Sequence, residues 1–160
     1  MPDRYLHCTF CGARFIRGQP WPRLCAACGE LSYLNPKPVA VAVQPVGGGL
    51  LVVRRGYDPA RGRLALPGGF IEVGESWQQA MVRELEEETG VVADVRTVRL
   101  YDTVSTGDDT LLVVGLLPPI DSRPDFTPTE EIPAIDVLTE PGPLAFPPHT
   151  ALATRFLTGG

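Results

Sequence analysis

Apolar and polar positions along the chain predict most of its regular elements. The runs "VAVAV" and "GGGLLVVRR" predict a hairpin, with strands at 39–44 and 50–55 joined by a glycine turn. Short strands are expected around residues 67–69. Two longer strands are predicted in "VRTVRLYDTV" and "TLLVVGLL", which the polar turn "STGDD" joins.

The one long helical pattern runs from Ser76 to Thr89, with apolar residues at every fourth position on one face. Ser76 begins a Ser-x-x-Gln capping box, and Gly90 is placed for a C-terminal cap. Residues 118–148 contain nine prolines and predict a long loop with at most a short strand near 132–138, before a second helical pattern in "HTALATRFL". Strands flanking a helix, with a second helix near the end, indicate a mixed sheet between helices, of the α/β or α+β class.

All four cysteines lie in the first 28 residues, in the pairs Cys8-x2-Cys11 and Cys25-x2-Cys28. Two such pairs are typical of a tetrahedral zinc site, and disulfides or unrelated free thiols are the alternative. Four protein ligands leave no open position on the ion, so the zinc is expected to be structural. The prolines after Asn35 predict a linker, which gives a zinc ribbon at 1–37 and a larger domain at 38–160.

The net charge of −5 is unevenly distributed along the chain. Residues 1–38 have five basic and two acidic residues, a charge of +3, and the remaining nine basic and seventeen acidic residues give −8. The acidic charge of residues 39–160 argues against a general nucleic-acid binder. This part of the chain would need divalent cations to bind a phosphate-containing substrate. The longest apolar run is too short to span a bilayer and the N-terminus does not resemble a signal peptide, so we expect a cytoplasmic protein with no membrane partner.

The sequence "RELEEETG" concentrates acidic residues in the last two turns of the long helix. Glu84 and Glu88 are four residues apart and share one face, with Glu87 beside it. Like charges this close repel each other, and negative charge is unfavourable at a helix C-terminus. A hard divalent cation such as Mg²⁺ or Mn²⁺ reverses that repulsion, because these ions select oxygen ligands. The pattern therefore indicates a metal site, and a solvated helix face is the alternative.

The same stretch resembles the sequence motif of the Nudix hydrolase family. From Gly69 the chain runs through five residues, Glu75, seven residues and "RELEEETGV", which matches Gly-x5-Glu-x7-Arg-Glu-U-x-Glu-Glu-x-Gly-U, where U is aliphatic, at every specified position. The flanking segments "LALPGG" and "LAFPPH" are also similar to family sequence. The resemblance implies an α/β/α sandwich with a mixed sheet and a loop-helix-loop active site. It also implies hydrolysis of a diphosphate that is linked to another group, a reaction on a phosphorus-containing acid anhydride.

The resemblance also implies roles for single residues. Glu84, Glu87 and Glu88 match the catalytic metal ligands for Mg²⁺ or Mn²⁺, and the backbone carbonyl of Gly68 is a further candidate ligand. The number of catalytic metals is left open by the resemblance.

Further residues of the motif and of its surroundings are expected to position the helix or to contact substrate. Glu75 and Arg83 pair in the family and would hold the helix in place. The base that activates water varies within the family, and on a later loop Glu130 and Glu131 are the candidates, with Glu131 preferred; the alternative is that both simply cap or solvate the loop. Candidate contacts for phosphates or a stacked base, each with a structural role as its alternative, are Arg54, Arg55, Phe70 and Tyr101.

A zinc ribbon ahead of this domain resembles the NADH pyrophosphatase subgroup of the family. That subgroup carries Ser-Gln-Pro-Trp-Pro-Phe after the box, where this chain has "YDTVSTGDDTLLVV". At the position after the box where a proline tends to mark ADP-ribose hydrolases, this chain has Gly107 instead. The expected substrate is therefore a nucleoside diphosphate derivative, with ADP-ribose, NADH, FAD and nucleotide sugars as candidates.

Two other functions remain open from the sequence. One is a nucleotide-sensing regulatory module whose ribbon contacts nucleic acid or a protein partner, although a complete set of box acids favours an enzyme over a domain that only binds. The other is a ribbon that serves as a dimerisation element, which would make the protein a homodimer.

Overall fold

The computed structural model describes residues 5–107 and 109–159, and contacts between residues divide the chain into two units, Met1–Pro36 and Lys37–Gly160. Each unit is described by itself. A domain boundary at residue 37, with each unit folding independently, stays a prediction.

The first unit consists of two similar tight turns and one short hairpin. In each Cys-x2-Cys-Gly turn, the glycine N–H donates to the carbonyl of the first cysteine, at 3.0 Å for Gly12 and 2.9 Å for Gly29. Both glycines have positive φ, 73° and 76°, a backbone region that other residues rarely adopt. Strands β1 (Arg23–Leu24) and β2 (Leu31–Ser32) pair antiparallel beside the second turn. Cys8, Phe15 and Cys25 form the small buried core of this unit.

The second unit has two four-stranded sheets and two helices. The elements are β3 (Lys37–Val43), β4 (Pro45–Val46), β5 (Gly49–Arg54), β6 (Leu64–Ala65), β7 (Gly68–Phe70), α1 (Trp77–Thr89), β8 (Arg99–Ser105), β9 (Thr110–Leu116), β10 (Ala134–Leu138) and α2 (Pro147–Leu157). The first sheet has the order β7-β3-β9-β8, in which β3 and β9 are parallel and the other pairs antiparallel. The second sheet has the order β10-β5-β4, with β6 also paired to β5, and is antiparallel throughout.

Strands β3 and β5 are each buried on both faces, so their alternate residues enter two different cores. Ala40 and Ala42 of β3 join the core that contains the apolar face of α1. Val41 and Val43 join the core on the other side, with residues of β9 and α2. Because side chains of a strand alternate in direction, this arrangement puts one helix on each side of the sheets. The predicted α/β/α sandwich with a mixed sheet is confirmed.

Helix α1 begins and ends as its sequence predicts. The Ser76 hydroxyl accepts from the Gln79 N–H at 3.2 Å, and the Gln79 side chain accepts from the Ser76 N–H at 2.8 Å, which completes the capping box. Gly90 is in the left-handed region at φ 76° and its N–H donates to the Glu86 carbonyl at 2.8 Å. Met81 and Leu85 are fully buried on the inner face. These caps fix where the acidic last turns lie.

One predicted pairing is wrong. The strands expected at 39–44 and 50–55 exist, but β3 and β5 belong to different sheets and do not form a hairpin with each other. The chain changes sheet at Gln44, whose buried side-chain amide donates to the carbonyls of Pro45 and Pro118. Only the two residues of β4 then pair with β5 across the glycine turn. The sequence pattern could not reveal this, because a strand buried on both faces and a hairpin strand show the same β-branched run.

The other elements agree with prediction. Strands β6 and β7 are the short strands expected around residues 67–69, and Gly68 and Gly69 lie within β7. Strands β8 and β9 pair across the "STGDD" turn, of which Asp108 lies outside the described residues, and β10 is the short strand of the proline-rich segment. No helix in the described part of the chain is long and apolar enough to cross a membrane.

Candidate functional site

The two cysteine turns bring four sulfur atoms together. Cys8 Sγ lies 3.7 Å from Cys28 Sγ, Cys11 Sγ lies 3.7 Å from Cys25 Sγ, and all four are within 4.8 Å of one another. Sulfurs bound tetrahedrally at about 2.3 Å from zinc are about 3.8 Å apart, whereas the sulfurs of a disulfide are about 2.05 Å apart. The cluster therefore fits a zinc site, and the cysteines are not paired as disulfides.

The ionisation of these thiols also fits a cation. A hydrogen bond from the Cys11 N–H lowers the pKa of Cys8 to about 6, and one from the Cys28 N–H lowers the pKa of Cys25. The pKa of Cys28 is raised to about 12. The Glu30 N–H lowers this pKa, but loss of water and the neighbouring thiols together outweigh that effect. Without a metal ion only some of the four thiols are ionised at neutral pH. The positive charge of a bound divalent ion would favour the ionised form of the others.

Arg83 and Glu75 tie the start of α1 to its last turns. The Nε of Arg83 donates to one Glu75 oxygen at 2.8 Å and its Nη2 donates to the other at 3.0 Å. Nη2 also donates to the Phe70 carbonyl on β7 at 3.1 Å. The Arg83 hydrogen bond lowers the pKa of Glu75 to about 2, so the pair stays charged across the physiological range. This geometry agrees with the expected pairing of the two residues.

Glu84 lies against residues 67–70, the turn and short strand β7 that we call the glycine loop. A Cβ atom on Gly69 would be 2.3 Å from the carboxyl carbon of Glu84, so any other residue there would displace the carboxylate. Arg83 Nη1 donates to Glu84 at 2.8 Å and to the exposed Glu87 at 3.3 Å. Burial raises the pKa of Glu84 even though Arg83 opposes the shift. The loop and the helix therefore meet through a partly desolvated carboxylate.

Glu88 is the most buried acid of the group, with 9% of its surface exposed. One of its oxygens accepts from the Gly68 N–H at 2.8 Å. Burial raises its pKa to about 8, since the Gly68 bond and the charge of Arg55 do not offset the loss of water and the repulsion from Glu84 and Glu131. Such a shift marks a carboxylate that lacks a compensating positive charge.

The loop after residue 129 brings a further acid to this place. The charge of Glu131 contributes to the raised pKa of both Glu84 and Glu88. The Glu131 carbonyl accepts from the Gly56 N–H at 2.7 Å, which fixes the loop against the end of β5. Glu131 is therefore a loop glutamate whose charge acts on the helix acids.

The acids are held apart in the structure, unlike the cysteines. Among the described residues, only the cysteines bring three or more potential ligand atoms within 4.8 Å of one another. Arg83 holds Glu84 and Glu87, and the Gly68 N–H holds Glu88. The acid group still suits Mg²⁺ or Mn²⁺, because its donors are all oxygen and two of its carboxylates are desolvated.

The four candidate substrate contacts fall in different places. Arg54 donates to the Gly62 carbonyl at 2.8 Å, and Phe70 is 60% exposed on β7 beside Gly69. Tyr101 packs in the core on the α2 side, where Arg155 covers its ring, so its position does not bring it to the helix acids. Arg55 is the candidate that acts electrostatically on Glu88.

Three residues near Arg55 were not identified from the sequence. Tyr57 has a raised pKa, chiefly through burial but also through Glu131 and Glu88, and Phe146 packs edge to face with His149 at 5.2 Å between ring centroids. His149 is buried, its Nδ1 accepts from the Leu66 N–H at 3.1 Å, and burial lowers its pKa to about 4. The segment "LAFPPH" was recognised only as similar to family sequence, and nothing in its spacing gave these contacts.

Comparison with known proteins assigns the chain to a class. The sequence model of the NUDIX domain matches residues 35–149, most of the second unit, and the chain belongs to the Nudix family. The crystal structure of a NUDIX hydrolase from Nitrosomonas europaea is similar over 95% of this chain and 90% of that one, at a TM-score of 0.74 and 26% identity.

Two curated relatives carry more specific names. An ADP-ribose pyrophosphatase of Methanocaldococcus jannaschii is 38% identical over 66 residues, which cover 41% of this chain and 39% of the relative. A protein named NAD-capped RNA hydrolase NudC of Haemophilus influenzae is 28% identical over 135 residues, 83% of this chain and 50% of the relative. The chain thus spans half or less of the length of these relatives.

Proposed function

We propose that this protein is a pyrophosphohydrolase that cleaves the diphosphate linkage of a nucleoside diphosphate derivative with the help of Mg²⁺ or Mn²⁺. The observation that carries the proposal is the pair Glu84 and Glu88, two desolvated carboxylates on one face of α1 that lie against Gly69 and Gly68. Both have raised pKa values, as expected of acids arranged to receive cations. Family membership supports the same class of reaction.

The residues that would hold the catalytic cations are Glu84, Glu87 and Glu88, with the Gly68 carbonyl as a further ligand. When bound, the cations neutralise phosphate oxygens and make a water molecule more acidic. Arg83 and Glu75 keep the acids on the helix face that meets the glycine loop. Glu131 accepts the proton of the attacking water, a role favoured by its electrostatic proximity to Glu84 and Glu88 and by its place on a separate loop.

The names of the relatives suggest which diphosphate compounds are candidate substrates. The named relatives act on ADP-ribose in one case and on NAD-capped RNA in another, and both substrates contain a diphosphate joined to adenosine. ADP-ribose, NADH, FAD and nucleotide sugars are therefore the compounds to test. The zinc ribbon supports the NADH pyrophosphatase-like layout, and the sequence after the box supports a different specificity.

The test is a screen of these compounds for metal-dependent release of the two monophosphate products. We expect turnover of at least one compound with Mg²⁺ or Mn²⁺ and none with EDTA. Glu88→Gln should lower kcat by a factor of about 100 to 1,000, on the scale of lost charge-stabilising groups, and Glu131→Gln by a smaller factor. Glu86→Gln, a matched change on an exposed face of the same helix, should leave kcat unchanged.

The competing function is a binding module that senses a nucleotide through the same domain. Full occupancy by ADP-ribose in a binding assay, together with no turnover of any compound by the wild-type protein, would favour it. Hydrolysis by wild type that Glu88→Gln leaves intact would contradict the proposed site.

A further inference from the structure

The chain crosses from the second sheet to the first in two residues. Strand β6 ends at Ala65, β7 begins at Gly68, and only Leu66 and Pro67 lie between them. The Pro67 carbonyl accepts from the Ala42 N–H at 2.8 Å, and proline has no N–H of its own. The N–H of Leu66 is therefore the one backbone donor of the crossing, and it is the donor that can anchor the entry into the glycine loop.

The partner of this donor is a buried histidine from the start of α2. The Leu66 N–H donates to His149 Nδ1 at 3.1 Å. Because the backbone N–H is the donor, Nδ1 is the unprotonated nitrogen of the ring. Leu66 is 2% exposed and His149 is 8% exposed, so water does not readily replace the bond. A buried N–H without an acceptor is costly, and the folded chain therefore favours this contact strongly.

The segment before α2 orients the histidine. The Ala145 N–H donates to the Leu64 carbonyl at 2.6 Å, which ties this segment to β6 just before the crossing. His149 follows as the third residue of α2, and the Phe146 ring packs edge to face against its imidazole at 5.2 Å between ring centroids. The same segment thus contacts the chain on both sides of Ala65, through a donor to Leu64 and an acceptor for Leu66.

A shift of the crossing would move Gly68, which is only two residues after Leu66. The Gly68 N–H donates to Glu88 at 2.8 Å, and the Gly68 carbonyl is a candidate ligand of the catalytic cations. Strand β3 confines Gly68 on another side, because a Cβ atom at this position would overlap the Ala40 carbonyl oxygen. The place of Gly68 therefore depends on three contacts, and the bond to His149 is the one that comes from α2.

We infer that His149 is a positioning residue for the catalytic cations. Its Nδ1 fixes the Leu66 N–H, and thereby the place of the Gly68 carbonyl and of the Gly68 N–H that holds Glu88. This inference rests on the proposed function and adds to it a residue from the opposite side of the sheets to α1. His149 acts through the backbone and does not itself bind a cation or the substrate.

The test compares side chains that keep or lose an acceptor at the place of Nδ1. His149→Leu removes the acceptor, so Mn²⁺ affinity measured by electron paramagnetic resonance should fall by a factor of about ten, at the lower end of losses seen when metal sites lose supporting groups. Hydrogen exchange of the Gly68 amide, measured by NMR without metal, should become faster. His149→Asn carries an oxygen as many bonds from Cβ as Nδ1 is, so it should restore most of the affinity and slow the exchange.

Phe156→Ala is the matched control on the same helix. Phe156 packs against the core on the α2 side and lies about 10 Å along the helix from His149. Its truncation should lower the midpoint of thermal unfolding through loss of packing and leave Mn²⁺ affinity unchanged. An equal loss of affinity in folded Phe156→Ala and His149→Leu would show that α2 acts only through general stability, and the inference would be wrong. It would also be wrong if folded His149→Leu bound Mn²⁺ like wild type.

If His149→Leu does not fold, two amide variants decide. The side-chain oxygen in His149→Gln is one bond further from Cβ than in His149→Asn, so His149→Gln should bind Mn²⁺ more weakly and exchange the Gly68 amide faster. Equal affinity and equal exchange in the two variants would contradict the inference.

These measurements need no turnover, so they fail independently of the proposed function. If wild type binds Mn²⁺ but hydrolyses no compound, the proposed function is wrong, and the affinity and exchange of the variants still decide the role of His149. If wild type hydrolyses its substrate and His149→Leu keeps both the Mn²⁺ affinity and the Gly68 exchange of wild type, the proposed function stands and the inference fails.

Discussion

The cysteine cluster and the acid site solve the same problem of gathering like charges, and they do so in opposite ways. The four sulfurs lie within 4.8 Å of one another on two short turns. The acids are spread over a helix and a loop, and Arg83 and the Gly68 N–H hold their oxygens in separate contacts. A full set of protein ligands closes a metal site to substrate, whereas a dispersed set leaves positions for it. This difference in geometry is the one expected between a structural metal centre and a site that must admit substrate.

The two sites also differ in how they control ionisation. Backbone N–H groups lower the pKa values of Cys8 and Cys25. Burial raises those of Glu84 and Glu88. The backbone of the cysteine cluster thus favours the charged form of two thiols before a metal arrives, although the pKa of Cys28 is raised, whereas burial in the acid site penalises the charged form of both carboxylates. The measurements below test this contrast.

The largest effect is expected in the cysteine cluster. Cys25→Ser removes one of four ligands and a buried core residue of a unit with few others, so zinc should be lost and the unit should unfold. The free energy that zinc supplies to such small units is on the order of 10 kcal/mol. Metal analysis should find about one zinc per wild-type chain and almost none in the variant. Retained zinc with native Trp21 fluorescence would contradict the assignment, and Thr9→Ala, an exposed position on the other cysteine turn, serves as the control.

Loss of an acid should weaken metal binding without unfolding the protein. In Glu88→Gln, Mn²⁺ affinity measured by electron paramagnetic resonance should fall by a factor of about ten to one hundred, in the range seen when metal sites lose supporting groups. Circular dichroism should stay unchanged, because the amide fills the same volume. Glu86→Gln should bind Mn²⁺ like wild type, and an equal loss in both variants would mean that the helix acts only through its overall charge.

The raised pKa of Glu88 predicts how stability depends on pH in the metal-free protein. The folded-state pKa is about 8 against an ordinary 4.5, so as pH rises the unfolded chain loses this proton first. The contribution of Glu88 to the free energy of unfolding is therefore greatest below pH 4.5 and falls up to about pH 8, with a limiting slope of about 1.4 kcal/mol per pH unit.

Urea unfolding of wild type and Glu88→Gln from pH 5 to pH 9 isolates that contribution. The difference in unfolding free energy between the two proteins should change over this range and level off above about pH 8. Saturating Mg²⁺ should reduce the change, because it favours the ionised carboxylate. A difference that is independent of pH would show that Glu88 is not desolvated.

The smallest effect is expected from the residue that only orients the acids. Glu75→Gln keeps one hydrogen bond to Arg83 and loses the charge, so kcat should fall by a factor of about ten while Mn²⁺ affinity changes less. Glu72→Gln, in the same loop, is the matched control. A loss in Glu75→Gln as large as in Glu88→Gln would place Glu75 among the groups that contact metal or substrate.

The sequence predicted those parts of the structure that depend on local spacing. The caps at Ser76 and Gly90, the shared helix face of Glu84 and Glu88 and the sandwich architecture all follow from residues close together in the chain. The sheet change at Gln44 was missed because it depends on a hydrogen bond to Pro118, far away in sequence. Tyr57 and Phe146 were missed for the same reason, since their contact through Arg55 joins segments that no period or motif connects.

Tyr101 shows what position along the chain does not fix. It was expected near the cleft as a candidate substrate contact, whereas in the structure its ring packs against the core on the α2 side. Which face a side chain occupies depends on register, and register is set by pairing with β9 and by the irregularity between Leu100 and Asp102.

The bond between the Leu66 N–H and His149 Nδ1 joins residues 83 positions apart. Its acceptor is a neutral imidazole, because burial lowers the pKa of His149 to about 4. Two residues after Leu66 comes the Gly68 N–H that donates to Glu88. During synthesis the glycine loop and α1 leave the ribosome long before α2 does. The bond between Leu66 and His149 can form only after residue 149 has left the ribosome, so the support that α2 gives to this loop is absent from any shorter nascent chain.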